Sequence, residues 1–191
     1  MTPQPVASER RRDAERTKAE ILEVAQREFA RQGYAGARVD EIAALMRTTK
    51  RMIYYYFGSK ERLYIAVLEK AYREVREAER RVDVNHLNPV EAIRTLAEIT
   101  FDHHDAHRDF IKLVSIENIH EARHIGKSEA VANLGTPVLG LIERILEAGK
   151  ASGDFVTEAD AIDVHMMISA FCFFRVANQH TFRVLFGRDM T

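Results

Sequence analysis

The chain has 191 residues, 46% of them hydrophobic and 30% charged, with a formal net charge of −1 at pH 7. That balance allows one or two compact domains and excludes a chain disordered throughout. A single cysteine, Cys172, excludes a disulfide framework within the chain and fits a reducing cytoplasm; its apolar neighbours make it a small buried hydrophobe rather than a redox sensor.

Residues 1–12 are polar and end on Arg10, Arg11 and Arg12. With no apolar stretch behind them, they read as a basic tail and not as a signal peptide. Residues 1–62 carry 13 Lys and Arg against 9 Asp and Glu, whereas the remainder carries 15 against 20. A basic head on an acidic body suits docking on phosphates. With only 9 Gly and 4 Pro and no sustained alternation, an all-α fold of about nine helices is expected.

The first helix is expected over residues 13–32, with Ile21, Leu22, Ala25 and Phe29 on its apolar stripe and Gly33 as its stop. Two short helices follow, over 39–46 and from 49 to 57. Gly58-Ser59 then breaks the chain, and Ser59 caps a helix reaching 81. On that helix Leu63, Val67 and Leu68 face inward while Arg73, Glu77 and Arg80 face solvent. A linker at 82–87 precedes Asn88-Pro89-Val90-Glu91, a start signal with a cap, a first-turn proline and a capping-box glutamate. That helix reaches 104. Others span 108–124, then from 126 to about 150 with an interruption at 135–137, then 158–178, with a last turn near 182–186.

Residues 39–57 form two short helices joined by a tight turn, the helix-turn-helix arrangement. Ile42, Leu45, Ile53 and Phe57 are spaced to share a small core with Phe29. Thr49 is placed to cap the second helix, whose first turn presents Lys50, Arg51 and Met52 outward. A helix entering the major groove by its N-terminus needs this layout. Tyr54, Tyr55 and Tyr56 point about 100° apart on a helix, so they cannot all be buried. An exposed phenol there can donate to a phosphate oxygen, and Lys60 adds a cation in the next helix's first turn.

On these stretches, residues 16–70 resemble the DNA-binding domain of the Tet-repressor family. The matching segments are Ile21-Leu22-Glu23-Val24-Ala25 with Phe29 and Gly33-Tyr34, then Val39-Asp40-Glu41-Ile42-Ala43. The most specific is Ile53-Tyr54-Tyr55-Tyr56-Phe57-Gly58-Ser59-Lys60-Glu61-Arg62-Leu63. The resemblance implies that Tyr54, Tyr56 and Lys60 clamp phosphates, and that Lys50, Arg51 and Met52 face bases, with Tyr55 a further candidate. It also implies a ligand-responsive regulator that binds a palindromic double-stranded DNA operator as a homodimer and leaves it when a small-molecule effector binds. The chain departs from the pattern at Arg47, where the inter-helix turn usually carries glycine. It departs again at Arg38, where a small hydroxyl residue commonly caps the first helix; Arg38 is then a candidate for the DNA edge. The implied division is a DNA-binding domain at 1–62, a connecting helix at 63–81 and a ligand-binding and dimerisation domain at 82–191. The stretch 110–124 looks similar to regulators of small-molecule catabolism.

In the 108–124 helix, Glu117 shares a face with Phe110, Leu113 and Val114, and Asn118 lies beside it. A buried carboxylate must be paired. The commonest use is an internal pair, with Arg175 the candidate partner; a ligand contact is the second; a catalytic role lacks a partner. Helices 90–104, 108–124 and 158–178 are expected to enclose an apolar pocket. Phe101, Phe110, Val114, Met166 and Phe173 would line it, with Glu117, Asn118, His104, His165 and Arg175 as polar members. Its ligand would be a small aromatic or aliphatic molecule with a cationic or hydrogen-bonding group toward Glu117.

His103 with His107, and His120 with His124, stand four residues apart, a spacing that can hold a metal. A small metal-dependent enzyme is one competing reading, and a DNA architectural protein without effector another. No cysteine accompanies the histidines and no HExxH motif is present, so no metal, cofactor or enzymatic activity is assigned. The 158–178 helix is apolar nearly all round, so a second copy of the chain is the expected cover for its outer side. Its Asp163, His165 and Arg175 interrupt it too often for a membrane span, and a soluble cytoplasmic protein is expected.

Overall fold

The computed structural model describes residues 7–82, 86–156 and 158–188, with side chains from Arg11 onward. Residues 1–6 of the expected tail and 83–85 of the expected linker lie outside the described residues. Among those described there is no strand, and nine helices have seven residues or more.

Helix α1 (Ala7–Gly36) starts earlier than expected, taking up the later part of the basic tail. Ile21, Ala25 and Phe29, spaced by four, are fully buried. Gly33, at φ 69° and ψ 173°, breaks the helical geometry where the stop was expected, and a short second helical stretch beyond the kink continues to Gly36; positive φ is the conformation glycine adopts without steric cost. Helices α2 (Val39–Leu45) and α3 (Lys50–Phe57) follow. Between them Arg47 takes φ 54°, so the turn keeps a left-handed residue although the chain offers no glycine there. The α2 core stripe is Val39, Ile42 and Ala43, continued by Met46. Leu45 falls outside that stripe and is 67% exposed, contrary to its expected place in the shared core. Phe57 joins that core half-buried.

Helix α4 (Lys60–Glu79) begins at Ser59, whose side chain accepts from the Arg62 N–H. Helix α5 (Pro89–Ala106) carries the expected capping box of Asn88 and Glu91. Helix α6 (Arg108–Ile119) ends five residues early. Glu121 and Ala122 both take positive φ, and the Ala122 N–H returns to the Glu117 carbonyl at 2.8 Å. A 3-10 turn (Ile125–Lys127) and the short α7 (Glu129–Ala132) lead to α8 (Thr136–Ser152), α9 (Ala161–Ala177) and α10 (Gln179–Phe186).

Two apolar cores result. The first joins α1–α4 to α6 and the end of α9 through Ile21, Phe29, Ile53, Leu63, Leu113 and Val176. The second joins α5, α8 and the start of α9 through Leu96, Ile142, Ile145 and Val164. The first core runs straight through residue 62, so the N-terminal helices share their interior with α6.

Glu117 sits where they meet. It is 2% exposed, as its apolar face suggested, but its partner is not Arg175. Its carboxylate accepts the backbone N–H of His124 at 3.0 Å and of Ile125 at 2.9 Å. The His124 ring lies 2.9 Å away through Nδ1. Burial alone would raise this carboxyl's pKa; the N–H groups of Ile125 and His124 outweigh it and hold it below the ordinary value. The His124 ring packs against Tyr34 at 4.2 Å and Tyr64 at 5.0 Å. Lys127 pairs with Glu61 and Ser128 donates to Glu69, so the segment that Glu117 folds also grips α4.

Among the described residues no single helix is long and apolar enough to cross a membrane; α9 and α10 pass that test only as a pair bent by 67°. Replacing Glu117 by Ala strands two backbone N–H groups and a ring in the interior. It should destabilise the protein by about 3 kcal/mol, with Glu117→Gln intermediate, as read from urea unfolding midpoints.

Candidate functional site

The first site is the face formed by the N-terminal turns of α2, α3 and α4. Thr49 caps α3 by accepting from the Met52 N–H at 3.3 Å. Ile53, fully buried, pins the helix to the core, so Lys50, Arg51 and Met52 stand outward on an anchored turn. Tyr54 and Tyr55 are exposed, Tyr55 at 77%. Tyr56 is half-buried against the core and meets Tyr55 edge-on at 5.2 Å. Arg38 occupies the N-cap position of α2 without making a side-chain cap and is exposed.

Two lysines are held in place. Lys50 Nζ lies 3.0 Å from Asp40 Oδ2, which ties the start of α3 to that of α2. Its pKa is raised, first by this hydrogen bond and then by the Asp40 charge. Lys60 Nζ donates to the Ala35 carbonyl at 3.4 Å and lies 4.8 Å over the Tyr34 ring; burial lowers its pKa. Every residue singled out for DNA is therefore exposed or half-buried; Arg38, Thr49, Lys50, Arg51, Met52 and Lys60 stand at helix starts, and Tyr54, Tyr55 and Tyr56 in the second half of α3.

The second site is an open cavity of about 500 Å³ lined by α4, α5, α6 and α9. Seven of the residues expected to line a pocket meet there: His104, Phe110, Val114, Asn118, His165, Met166 and Phe173. Three do not. Glu117 is turned into the junction described above. Phe101 lies in a separate groove between α5 and α9, and the Arg175 guanidinium stacks 5.1 Å over its ring. These corrections share one reason: helical spacing gives a face, and only packing decides which neighbour covers it.

The cavity also takes Tyr72, Val75, Arg76 and Glu79 from α4, together with Ser169 and Ala170. Their signal was present in the sequence. Positions 72, 75, 76 and 79 continue the inward stripe of α4, and a charged pair three apart on such a stripe marks an internal ion pair. Arg76 Nη1 meets Glu79 Oε2 at 2.6 Å, with Glu79 only 2% exposed. Burial raises the Glu79 pKa, against the opposing charge and hydrogen bond of Arg76.

The histidines serve packing. His103 and His107 stack at 4.1 Å, and His104 stacks on Phe110 at 5.6 Å. Since α6 ends at Ile119, His120 and His124 do not share a helical face. Among the described residues no group of three or more His, Cys, Asp or Glu is placed to hold a metal ion. His103 and His104 are both pushed down to about 4, first by burial. Groups held neutral in the fold charge more readily when unfolded, so the unfolded chain binds more protons between about pH 4 and 6.5. The histidines' contribution should be complete above pH 6.5 and fall away through that window. Urea unfolding at pH 7.5, 5.5 and 4.5 reads the decline, and His103→Gln should flatten it.

The chain has relatives along most of its length. Residues 21–67 match the family described as bacterial regulatory proteins, tetR family, and residues 89–191 a tetracyclin repressor-like C-terminal domain. It is 34% identical over 181 residues to the HTH-type transcriptional repressor NicS of Pseudomonas putida, covering 95% of this chain and 85% of that protein. It is 40% identical over 110 residues to the repressor SCO4008 of Streptomyces coelicolor, covering 56% and 53%. Among solved structures, the Streptomyces coelicolor protein SCO4942 matches with a TM-score of 0.68 at 30% identity, covering 86% of this chain and 82% of that one. The fatty acid degradation regulator FadR of Bacillus halodurans shares the fold, with a TM-score of 0.68 at 22% identity over 86% and 84%.

Proposed function

The chain belongs to the tetR family of bacterial regulatory proteins and is a DNA-binding transcriptional regulator; from this premise we propose that it is a homodimeric repressor, released from a palindromic operator by a small molecule in the α4–α6–α9 cavity. One observation carries the reading. Helix α4 presents Lys60 at its first residue and lines the cavity with Tyr72, Val75, Arg76 and Glu79 further along. A 20-residue helix is a rod of about 30 Å, so a shift at the cavity is felt at the phosphate-facing end. An effector acts only through different affinity for the two arrangements, and the cavity supplies the surface for that difference. The naming of NicS as a repressor supports repression over activation. The helices carry a regulator's sites rather than an enzyme's, and such a protein works in the cytoplasm, where its DNA is.

Lys60, Tyr54 and Tyr56 hold phosphates in this reading, and Lys50, Arg51 and Met52, flanked by Arg38, Thr49 and Tyr55, read the operator. The second copy covers the outer stripe of α9, where Ile162, Met166, Met167, Phe171 and Phe174 are exposed together. Continuation of that apolar surface onto Val184, Leu185 and Phe186 of α10 exceeds what a lone protomer leaves to water. The division into a DNA-binding head at 1–62, a connecting helix and a sensing, dimerising body belongs to the same proposal.

Recovery of bound genomic fragments, followed by gel shifts, tests the reading directly. Lys60→Ala should weaken specific and random duplexes alike and reduce the salt slope by roughly one unit. Arg51→Ala should relax the selected consensus, a guanine contact contributing roughly 1–3 kcal/mol of discrimination. Sedimentation at micromolar concentration should give a dimer, and Phe171→Asp a monomer that no longer protects two half-sites; a monomeric wild type would overturn the pairing.

A further inference from the structure

The α4–α6–α9 cavity brings one guanidinium and two imidazoles into a single lining, from Arg76, His104 and His165. Arg76 spends one contact on Glu79, Nη1 to Oε2 at 2.6 Å, and a guanidinium carries five N–H groups. His104 is 5% exposed and lines the cavity with its ring stacked on Phe110. His165 reaches the same cavity from α9. Among the described residues of the lining Glu79 is the one carboxylate, and Arg76 already holds it. Glu117, which would have favoured a cationic ligand, is committed to His124 and Ile125 outside the cavity.

We propose that this cavity seats the carboxylate of an aromatic carboxylic acid between Arg76, His104 and His165, with the ring against Phe110 and Phe173. The proposal rests on the cavity being the effector site and narrows the effector to one chemical class. The aromatic wall adjoins the donors: Phe110 lies 5.6 Å from the His104 ring and 5.2 Å from that of Tyr72. A carboxylate borne directly on a ring spans that distance, and about 500 Å³ accommodates a second fused ring. Charge-assisted bonds to a carboxylate are about twice as strong as those to a neutral acceptor, so an acid is favoured over its amide.

The histidines add a signature. Burial comes first among the causes that keep both rings neutral, and Arg76 also lowers both. A bound carboxylate brings the opposite charge and favours their protonated forms. The other groups facing them are Glu79 and Tyr72 from α4 and His103 on α5. Glu79 works with the ligand, while Arg76 and His103 work against it. Binding therefore takes up protons, and affinity rises as pH falls from 7.5 to 5.5, a range in which an aromatic acid stays ionised.

The test is calorimetry on the full chain with two matched pairs, 2-naphthoate with 2-naphthamide and benzoate with benzamide. At least one acid should bind about tenfold or more tightly than its amide, with a preference that grows toward pH 5.5. The double variant Arg76→Gln with Glu79→Gln removes both charges without leaving one buried alone, and should abolish the preference while keeping amide binding. Should that variant fail to fold, His104→Asn should lose the pH dependence instead. Equal affinities within both pairs, or acid affinity that does not rise as pH falls, overturn the carboxylate seat while leaving the cavity a ligand site. Binding of neither pair counts against the seat and the effector reading together.

Discussion

A buried carboxylate that must be satisfied sets the architecture of the middle of this chain. Glu117 lies in the interior of α6, where an unpaired charge is untenable. It is answered by two backbone N–H groups and one imidazole, all from residues seven and eight positions ahead. To deliver them the chain must leave the helix at Ile119 and fold back through two left-handed residues, Glu121 and Ala122. Such conformations are unfavourable for residues with a side chain, so the bonds to Glu117 offset them. The fold-back sets the His124 ring against Tyr34 and Tyr64 and brings Lys127 and Ser128 onto α4.

That junction gives α4 and α6 two duties each. Helix α4 begins in the DNA-facing head and lines the cavity further along; α6 lines the cavity with Phe110, Val114 and Asn118 while its Glu117 organises the junction. The first core continues from the head into α6 without a break. Packed interiors transmit displacement because they are dense and resist compression. The cavity and Lys60 are therefore joined by one continuous helix and a packed core.

Glu117 lies outside the cavity, so the carboxylate expected to face a cationic group is not part of the lining. Helical spacing correctly grouped Glu117 with the apolar face of α6, and correctly demanded a partner for it. Arg175, the partner charge suggested, instead stacks on Phe101. Arg76 and Glu79 enter from α4, on the continuation of the inward stripe of Leu63, Val67 and Leu68. The local pattern was sound in each case; what it lacked was the identity of the surface opposite.

The sequence by itself determined the helices, their caps and the helix-turn-helix, because these rest on bonds and spacings among residues close in the chain. Thr49, Ser59 and Asn88 cap where expected, and Ile42 and Ile53 are buried where their spacing requires. Gly33 was legible as the break at which the first helix kinks. Only the tertiary structure decided the end of α6, the exposure of Leu45, and which of the inward-facing polar groups meet in one cavity. Those outcomes depend on contacts between residues far apart in sequence, whose geometry no local period encodes.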